Sequence, residues 1–129
     1  MGRTEDIIQA NYEAFRRGDL SGALGGWEEG GSFRPLPHGP TYHGRDEVRK
    51  FLAEDIRELA EFDFRVYTIL EQGDLALIFG RYSIREEEHL VEKGVFWISH
   101  IEGGTMRSFE AYENVGEAFA EFKRRLAAG

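Results

Sequence analysis

Two charged side chains stand among apolar neighbours and are the first candidates for chemistry. Asp55 follows Leu52 by three residues and precedes Leu59 by four, so a helix would place it near its apolar side. Arg81 falls on one face of a predicted strand with Phe79. A buried carboxylate beside a guanidinium stays ionised and could act as a general base, while the guanidinium stabilises an enolate or alkoxide. The alternative is a structural ion pair, or an arginine whose head group reaches solvent.

Histidine is the second kind of candidate, because its imidazole titrates near neutral pH. His38 and His43 lie in or beside the segment 30–42, GGSFRPLPHGPTY, whose prolines and glycines predict a long loop with a short edge strand at 32–35. Such a loop often forms the rim of a pocket, so either histidine could serve as an acid or base there. Simple solvation is the alternative. The 4 histidines show no metal-ligand spacing, so we predict no metal site.

The composition is that of a globular chain with an acidic surface. Its 129 residues are 41% hydrophobic and 31% charged, which predicts one ordered domain over residues 1–129. A net charge of −8 argues against a nucleic-acid partner. The sequence has no apolar run long enough to span a membrane and no leader pattern, so we predict no membrane partner. The absence of cysteine excludes disulfide and thiolate chemistry and favours a cytoplasmic location.

The hydrophobic patterns predict helices in the first half of the chain, then antiparallel strands, then a final helix. The predicted helices cover residues 4–17, 19–27, 45–60 and 115–126, and the predicted strands cover residues 62–70, 75–84, 90–101 and 105–112. A tight turn at Gly103 and Gly104 joins the last two strands into a long hairpin. Helices collected on one face of an antiparallel sheet predict an α+β domain. We expect the sheet to curve around the helices and to leave a cone-shaped cavity.

Strand alternation selects the side chains that would face such a cavity. The strands would contribute Phe79, Trp97, Phe109, Ala111 and Glu113 together with Arg81, and the helices would contribute Asn11, Tyr12, Phe15 and Trp27. Asn11 and Tyr12 could donate hydrogen bonds to a ligand carbonyl, although Tyr12 could equally pack between helices. The tryptophans would contact a ligand by packing. The sequence therefore predicts a largely aromatic pocket that holds few charges.

The opposite faces of these strands are also apolar. Ile78, Tyr82, Phe96 and Ile98 fall on faces that would lie outside the cone. An exposed apolar sheet face usually marks a surface that pairs with another protein. We therefore predict a homodimer. We also predict a small-molecule ligand and no cofactor.

Three segments of the chain resemble the nuclear transport factor 2-like superfamily, and within it the SnoaL-like polyketide cyclases and the ketosteroid isomerases. The segments are ANYEAFRRGDLSGAL, YHGRDEVRKFL and FWISHIEGGTMRSFEAYEN, and the resemblance extends over nearly the whole chain. It implies a cone-shaped, cystatin-like α+β fold and a homodimer. It does not imply one particular reaction, because this fold supports several.

The resemblance also implies that the usual catalytic residues of these enzymes are replaced here. It puts Pro35 at the position of the isomerases' general base, Asn11 near their oxyanion tyrosine and Trp97 at their protonated aspartate. In the cyclases, the catalytic histidine and aspartate would fall on Phe109 and Ala111.

The register of the last strand decides which of its residues face the cavity. A shift of one residue would exchange Ala111 for Glu110 or Tyr112, because alternate side chains point to opposite faces. With that shift, Glu110 would face the cavity, and it is therefore a further candidate for chemistry.

These observations support three functional hypotheses. The first is a cofactor-free acid–base enzyme, an isomerase, cyclase or hydrolase that acts on an apolar or aromatic substrate through Asp55, Arg81 or His43. The second is a non-catalytic protein that binds the same kind of molecule, and the third is a dimerisation or interaction module. An open cavity of roughly 300 Å³ or more with Asp55 or Arg81 on its wall would favour the first two. A cone plugged by its own aromatic side chains would favour the third.

Overall fold

The computed structural model describes residues 3–17, 19, 27–52 and 63–128. Within these residues the helices are α1 (Arg3–Arg16), α2 (Gly44–Lys50) and α3 (Val115–Ala128), and the strands are β1 (Trp27–Arg34), β2 (Tyr42–His43), β3 (Asp63–Gln72), β4 (Leu75–Glu86), β5 (His89–Glu102) and β6 (Thr105–Tyr112). The described strands form one curved sheet in the order β2-β1-β6-β5-β4-β3. The predicted α+β class is confirmed.

The described helices cover both faces of the sheet. The inner face is the one that packs against α1 and α2, and its core includes Ile8 of α1 and Val48 of α2. On the outer face, Ala118 and Phe122 of α3 pack against a second apolar cluster that includes Leu77. The prediction that the helices gather on one face is therefore wrong for α3. No helix in these ranges is long and apolar enough to cross a membrane.

In the β5–β6 hairpin the residues around Trp97 and Phe109 face inward as the sequence predicts, and the register shifts between His100 and Ile101. Trp97 pairs with Ala111 and Ser99 with Phe109, and all four side chains are buried. Glu110 pairs with Ile98 on the outer face, so the alternative register is not adopted. The hairpin turn has φ angles of 61° and 83° at its two glycines, which explains why it needs residues without a side chain.

The face of β4 that points into the inner core is the opposite of the one that the sequence predicts. Ile78 and Tyr82 belong to the inner core, whereas Leu77 packs beneath α3. Phe79 and Arg81 follow Leu77 on the outer face and are exposed. The prediction was wrong because both faces of β4 are apolar and each is covered by helices, so alternation alone does not show which face points inward.

Strand β1 is an interior strand, whereas the sequence predicts a short edge strand within 32–35. It pairs antiparallel with β2 and parallel with β6. Its last residue is Arg34, so Pro35 lies just outside the ladder and costs it no hydrogen bond. The indole Nε1 of Trp97 donates a hydrogen bond to the Pro35 carbonyl at 3.0 Å and fixes the end of the strand.

Two predicted helices extend beyond the residues that the structure describes. Of the predicted helix at 19–27, residues 20–26 lie outside the described ranges, and Trp27 belongs to β1. Of the predicted helix at 45–60, the structure describes residues up to Leu52, so Asp55 also lies outside them.

An ion-pair network fastens the C-terminal part of α3 to the sheet. The Arg125 guanidinium donates to Glu121 at 2.6 Å and to Glu110 of β6 at 2.7 Å. Arg124 also donates to Glu121, and hydrogen bonds from Arg124 and Arg125 together lower the pKa of Glu121 to about 2. The Glu121 side chain is 21% exposed, so solvent screens part of this interaction.

The lowered pKa of Glu121 predicts a pH-dependent contribution to stability. A carboxyl group whose folded-state pKa lies below its usual 4.5 stabilises the fold above about pH 4.5, and this contribution is lost as the pH falls toward 2. We expect Glu121→Gln to lower the free energy of unfolding by about 1 kcal/mol at pH 7 and to have little effect at pH 2. Urea unfolding at the two pH values measures the difference. Glu117→Gln, at an exposed position of the same helix, is the control. Equal stability of wild type and Glu121→Gln at pH 7 would contradict the assignment.

Candidate ligand-binding site

A small cavity lies between the inner face of the sheet and helices α1 and α2. Its wall consists of Ile8, Asn11, Tyr12, Phe15, Phe33, Val48, Leu52, Val66, Met106 and Phe109. Its free volume is about 60 Å³. This is less than the roughly 150 Å³ of an apolar cavity that admits benzene, and far less than the roughly 300 Å³ at which ordinary ligand pockets begin. The open cavity of roughly 300 Å³ inside the cone that would favour a ligand site is therefore not found in the part of the chain that the structure describes. A ring-sized ligand can enter only if part of the wall moves.

Helix α1 supplies one side of the cavity because of its periodicity. Ile8, Asn11, Tyr12 and Phe15 recur at spacings of three and four residues, which puts them on one side of the helix. The helix is anchored near its N-terminus by the Thr4 hydroxyl, which donates to the carbonyl of Gly73 at 2.8 Å. This bond to the β3–β4 turn fixes where the cavity-lining side of α1 meets the sheet.

Asn11 is the distinctive polar group of the wall. Its amide nitrogen Nδ2 is buried and has no hydrogen-bond partner among the described residues. A buried donor without an acceptor costs about 1–3 kcal/mol, so native structures usually supply an acceptor from water or a ligand. The amide is therefore suited to donate a hydrogen bond to a molecule that occupies the cavity.

The remaining wall is suited to packing and offers little for acid–base chemistry. Tyr12 is the one titratable side chain among the described residues that line the cavity. The described part of the chain also contains no cluster of three histidine, aspartate or glutamate side chains that could hold a metal ion. Behind the wall, Trp97 stacks on Phe109 with ring centroids 5.7 Å apart. Among the described residues, the wall thus combines aromatic and aliphatic surface with the Asn11 amide.

Several predicted ligand-binding residues meet at this cavity. Asn11, Tyr12, Phe15 and Phe109 form part of its wall. Trp97 and Ala111 are buried in the inner core next to it, as a second layer behind the wall. Trp27 begins β1, and its side chain lies outside what the structure describes, as does Asp55.

Two predicted pocket residues face the other side of the sheet. Phe79 is 39% exposed and packs between Tyr67 and Phe96 of the neighbouring strands. The Arg81 side chain is 54% exposed, and its guanidinium lies 3.8 Å from the carboxylate of Glu92. The prediction that both point into the cone is wrong, because the inner positions of β4 are taken by the alternate residues.

Two further predicted residues lie at the surface. Glu113 follows the end of β6 and contacts His38 at 2.5 Å between Oε2 and Nε2, with both side chains exposed. His43 is exposed because its neighbour Tyr42 takes the inward position of the two-residue strand β2. The backbone N–H of His43 donates to the Glu47 carboxylate at 3.0 Å, which places this histidine at the start of α2. The expected inward orientation of Glu113 is wrong.

Six of the described wall residues are not among the pocket residues that the sequence predicts. They are Ile8, Phe33, Val48, Leu52, Val66 and Met106. Val48 and Leu52 lie on the apolar stripe of the predicted helix, and Val66 on an apolar face of β3, so patterning marked them as buried but not as pocket residues. Met106 had no such signal, because strict alternation from Phe109 puts it on the outer face, and a register shift in the hairpin turns it inward.

Comparison with solved structures shows the same fold in other proteins. The structure of TerC co-crystallised with polyporic acid matches with a TM-score of 0.74 and 21% identity, covering 93% of this chain and 97% of that chain. A protein of ketosteroid isomerase-like fold from Catenulispora acidiphila, in complex with trimethylamine, matches with a TM-score of 0.70 and 15% identity, covering 88% and 89%. A proposed polyketide cyclase from Sinorhizobium meliloti matches with a TM-score of 0.69 and 16% identity, covering 82% and 93%.

These similarities confirm the fold that the sequence predicts. Other similar structures are described as nuclear transport factor 2-like or as having a cystatin-like fold. No curated protein matches the chain. The family model of the SnoaL-like domain matches residues 8–125, a span that includes the whole cavity wall. The chain therefore belongs to the SnoaL-like domain family.

Proposed function

We propose that the protein binds a compact, uncharged, apolar or aromatic molecule that carries one hydrogen-bond acceptor. The observation that carries this proposal is the Asn11 amide, which has no hydrogen-bond partner among the described residues and lies in a mainly apolar wall. An ionic ligand would lose its hydration without finding a counter-charge among the described wall residues, which is costly. A ketone or similar carbonyl compound would instead pair its oxygen with the amide and bury its hydrocarbon part.

Two of the similar structures support a small-molecule ligand for this fold. One is co-crystallised with polyporic acid and the other is in complex with trimethylamine. These ligands belong to those proteins. They support the expectation that the space between the sheet and the helices is a ligand site in this chain as well.

Removing the amide tests the proposal. We expect Asn11→Leu to weaken binding of acetophenone about tenfold, because the carbonyl loses a buried hydrogen bond worth about 1.4 kcal/mol. Binding of ethylbenzene, which lacks the carbonyl, should be unchanged or tighter. Isothermal titration calorimetry with both ligands measures the two effects.

Gln9→Leu is the matched control for this substitution. It removes an amide from an exposed position on the same helix, away from the cavity, and should affect neither ligand. Equal losses for acetophenone and ethylbenzene in Asn11→Leu would contradict the assigned hydrogen bond. Absence of binding by wild type would contradict the proposed function.

A cofactor-free isomerase or cyclase is the second candidate function. Asp55 follows the wall residue Leu52 by three positions in the sequence, and it is the candidate general base. The fold similarity to a proposed polyketide cyclase favours this alternative. Deuterium exchange from solvent into the methyl group of acetophenone distinguishes the two functions. Exchange that Asp55→Asn abolishes supports the enzyme, and exchange at the buffer rate supports the binding protein.

We further propose that two copies of the chain pair through the outer face of the sheet. This outer apolar surface consists of Tyr67, Leu70, Phe79, Phe119 and Leu126, which are 54%, 43%, 39%, 40% and 40% exposed. Arg125 binds Glu110 of β6, and Phe119 and Leu126 lie on the opposite flank of α3. We expect this flank to face β4, which α3 also contacts. Arg81 and Glu92 lie beside the outer apolar surface and carry opposite charges. A second copy related by a two-fold axis would therefore present Glu92 to Arg81 and Arg81 to Glu92. We expect this dimer to be cytoplasmic.

A further inference from the structure

Among the wall residues that the structure describes, Met106 has the side chain that can most easily move. It is 3% exposed, lines the cavity and has an unbranched side chain with a flexible thioether. The aromatic part of the wall is held more firmly. Phe33 packs against Phe109 and Phe51 with ring centroids 5.6 Å and 5.7 Å apart. If the cavity enlarges on the sheet side, the displacement will therefore come from Met106.

Ser99 holds the Met106 side chain in its present position. Its hydroxyl is fully buried and donates a hydrogen bond to the Met106 sulfur at 2.9 Å, from β5 to β6. A thioether is a weak acceptor, so this bond defines one position of the side chain and is easily given up. A register shift beside Ile101, the residue that pairs with Met106, offsets the two strands at this point. The contact therefore depends on the local geometry of the hairpin.

We infer that Met106 is the size-selecting wall of the cavity and that Ser99 is the positioning residue that keeps this wall closed. The inference rests on the proposed function and adds which ligand sizes the site accepts. With about 60 Å³ of free volume, the cavity admits an aromatic ring when Met106 withdraws and gives up its bond to Ser99. Contacts between the sulfur and the edge of the bound ring replace that bond.

The two methionines of the chain allow a direct observation of this movement. Protein labelled with ¹³C at the methionine methyl groups gives one signal from Met106 and one from Met1, which serves as the internal reference. Acetophenone is expected to shift the Met106 signal and to leave the Met1 signal in place. In ligand-free Ser99→Ala, the ¹³C chemical shift of the Met106 methyl group should move toward the value typical of a side chain that averages over several rotamers.

Ligand size tests the positioning role of Ser99. Acetophenone carries one ring and 2-acetonaphthone carries two, with the same carbonyl group. Wild type should bind acetophenone more tightly than 2-acetonaphthone. Ser99→Ala should lower this ratio of affinities about fivefold, because the closed position of Met106 is no longer favoured. Met106→Ala should reduce it further. Ser108→Ala removes a hydroxyl from the neighbouring strand at a position outside the cavity wall and should retain the wild-type ratio.

The outcomes separate this inference from the proposed function. If acetophenone binds while the Met106 signal stays in place, or if Ser99→Ala keeps the wild-type ratio of affinities, the inference is wrong and the proposed function stands. If neither ketone binds to wild type or to any variant, both are wrong. A ratio that changes in Ser99→Ala and stays constant in Ser108→Ala supports the inference.

Discussion

Gly80→Ala is expected to lower the free energy of unfolding by about 3 kcal/mol, although it adds a single methyl group. A Cβ atom at this position would lie 2.0 Å from the carbonyl oxygen of Arg65 and 2.8 Å from Cζ3 of Trp97. The first contact is with the backbone of the paired strand, and the second is with a side chain that is 1% exposed. Neither neighbour can give way cheaply, so the sheet itself must distort.

The close approach at Gly80 has a structural cause. Gly80 pairs with Val66, and the register of β3 shifts between Val66 and Thr68, so the ladder is irregular at this point. Such bulges sharpen the local twist and bring the two backbones together. A glycine is required here for space rather than for a positive φ angle.

Gly94→Ala is the matched control for this substitution. Gly94 lies on the adjacent strand β5, where an added Cβ would meet its nearest neighbour, a ring carbon of Phe79, at 4.0 Å. We expect this variant to lie within about 0.5 kcal/mol of wild type, as ordinary surface substitutions do. Urea unfolding measures both variants. Equal stability of Gly80→Ala and Gly94→Ala would contradict the packing described for β3 and β4.

Phe79→Glu is expected to raise the dissociation constant of the proposed homodimer at least about 100-fold. Phe79 belongs to the outer apolar surface, and its ring lies between Tyr67 and Phe96 at centroid distances of 6.0 Å and 5.1 Å. A carboxylate there would be buried without a partner when two copies meet, at a cost of about 3 kcal/mol or more. The monomer should tolerate the change, because the position is exposed to solvent.

Sedimentation equilibrium over a range of concentrations measures the effect of Phe79→Glu. The control is Gln9→Glu, which places the same charge at an exposed position of α1, the helix on the other side of the sheet. The control variant should dimerise like wild type. A wild-type protein that stays monomeric, or the same dissociation constant in both variants, would contradict the proposed interface.

The parts of the fold that depend on local sequence were predictable. The Gly103–Gly104 pair predicted where the β5–β6 hairpin turns, and the alternation around Trp97 predicted which of its residues face inward. The register shift between His100 and Ile101 was not predictable from the turn. The apolar stripe of α1 was equally clear, and it brought Asn11 and Tyr12 to the cavity. In both cases the determining contacts lie within one hairpin or one helix.

The parts that depend on distant contacts were not predictable. Arg81 was expected inside the cone because β4 is apolar on both faces, and only its pairing with β5 shows that Ile78 takes the inner position. Met106 was not predictable as a wall residue for a different reason, because the register shift between His100 and Ile101 turns it inward, whereas strict alternation from Phe109 puts it on the outer face. The length of β1 was underestimated because Pro35 suggested an edge strand, whereas it lies just beyond the strand end.

The central claim is that the cavity between the sheet and helices α1 and α2 is the ligand site. Intermolecular nuclear Overhauser effects between bound acetophenone and the protein methyl groups test this claim most directly. We expect the aromatic protons to contact the methyl groups of Ile8, Val48 and Met106, which line the cavity. Contacts confined to Leu70 and Leu126, which lie on the outer apolar surface, would place the ligand on the opposite side of the sheet and contradict the account.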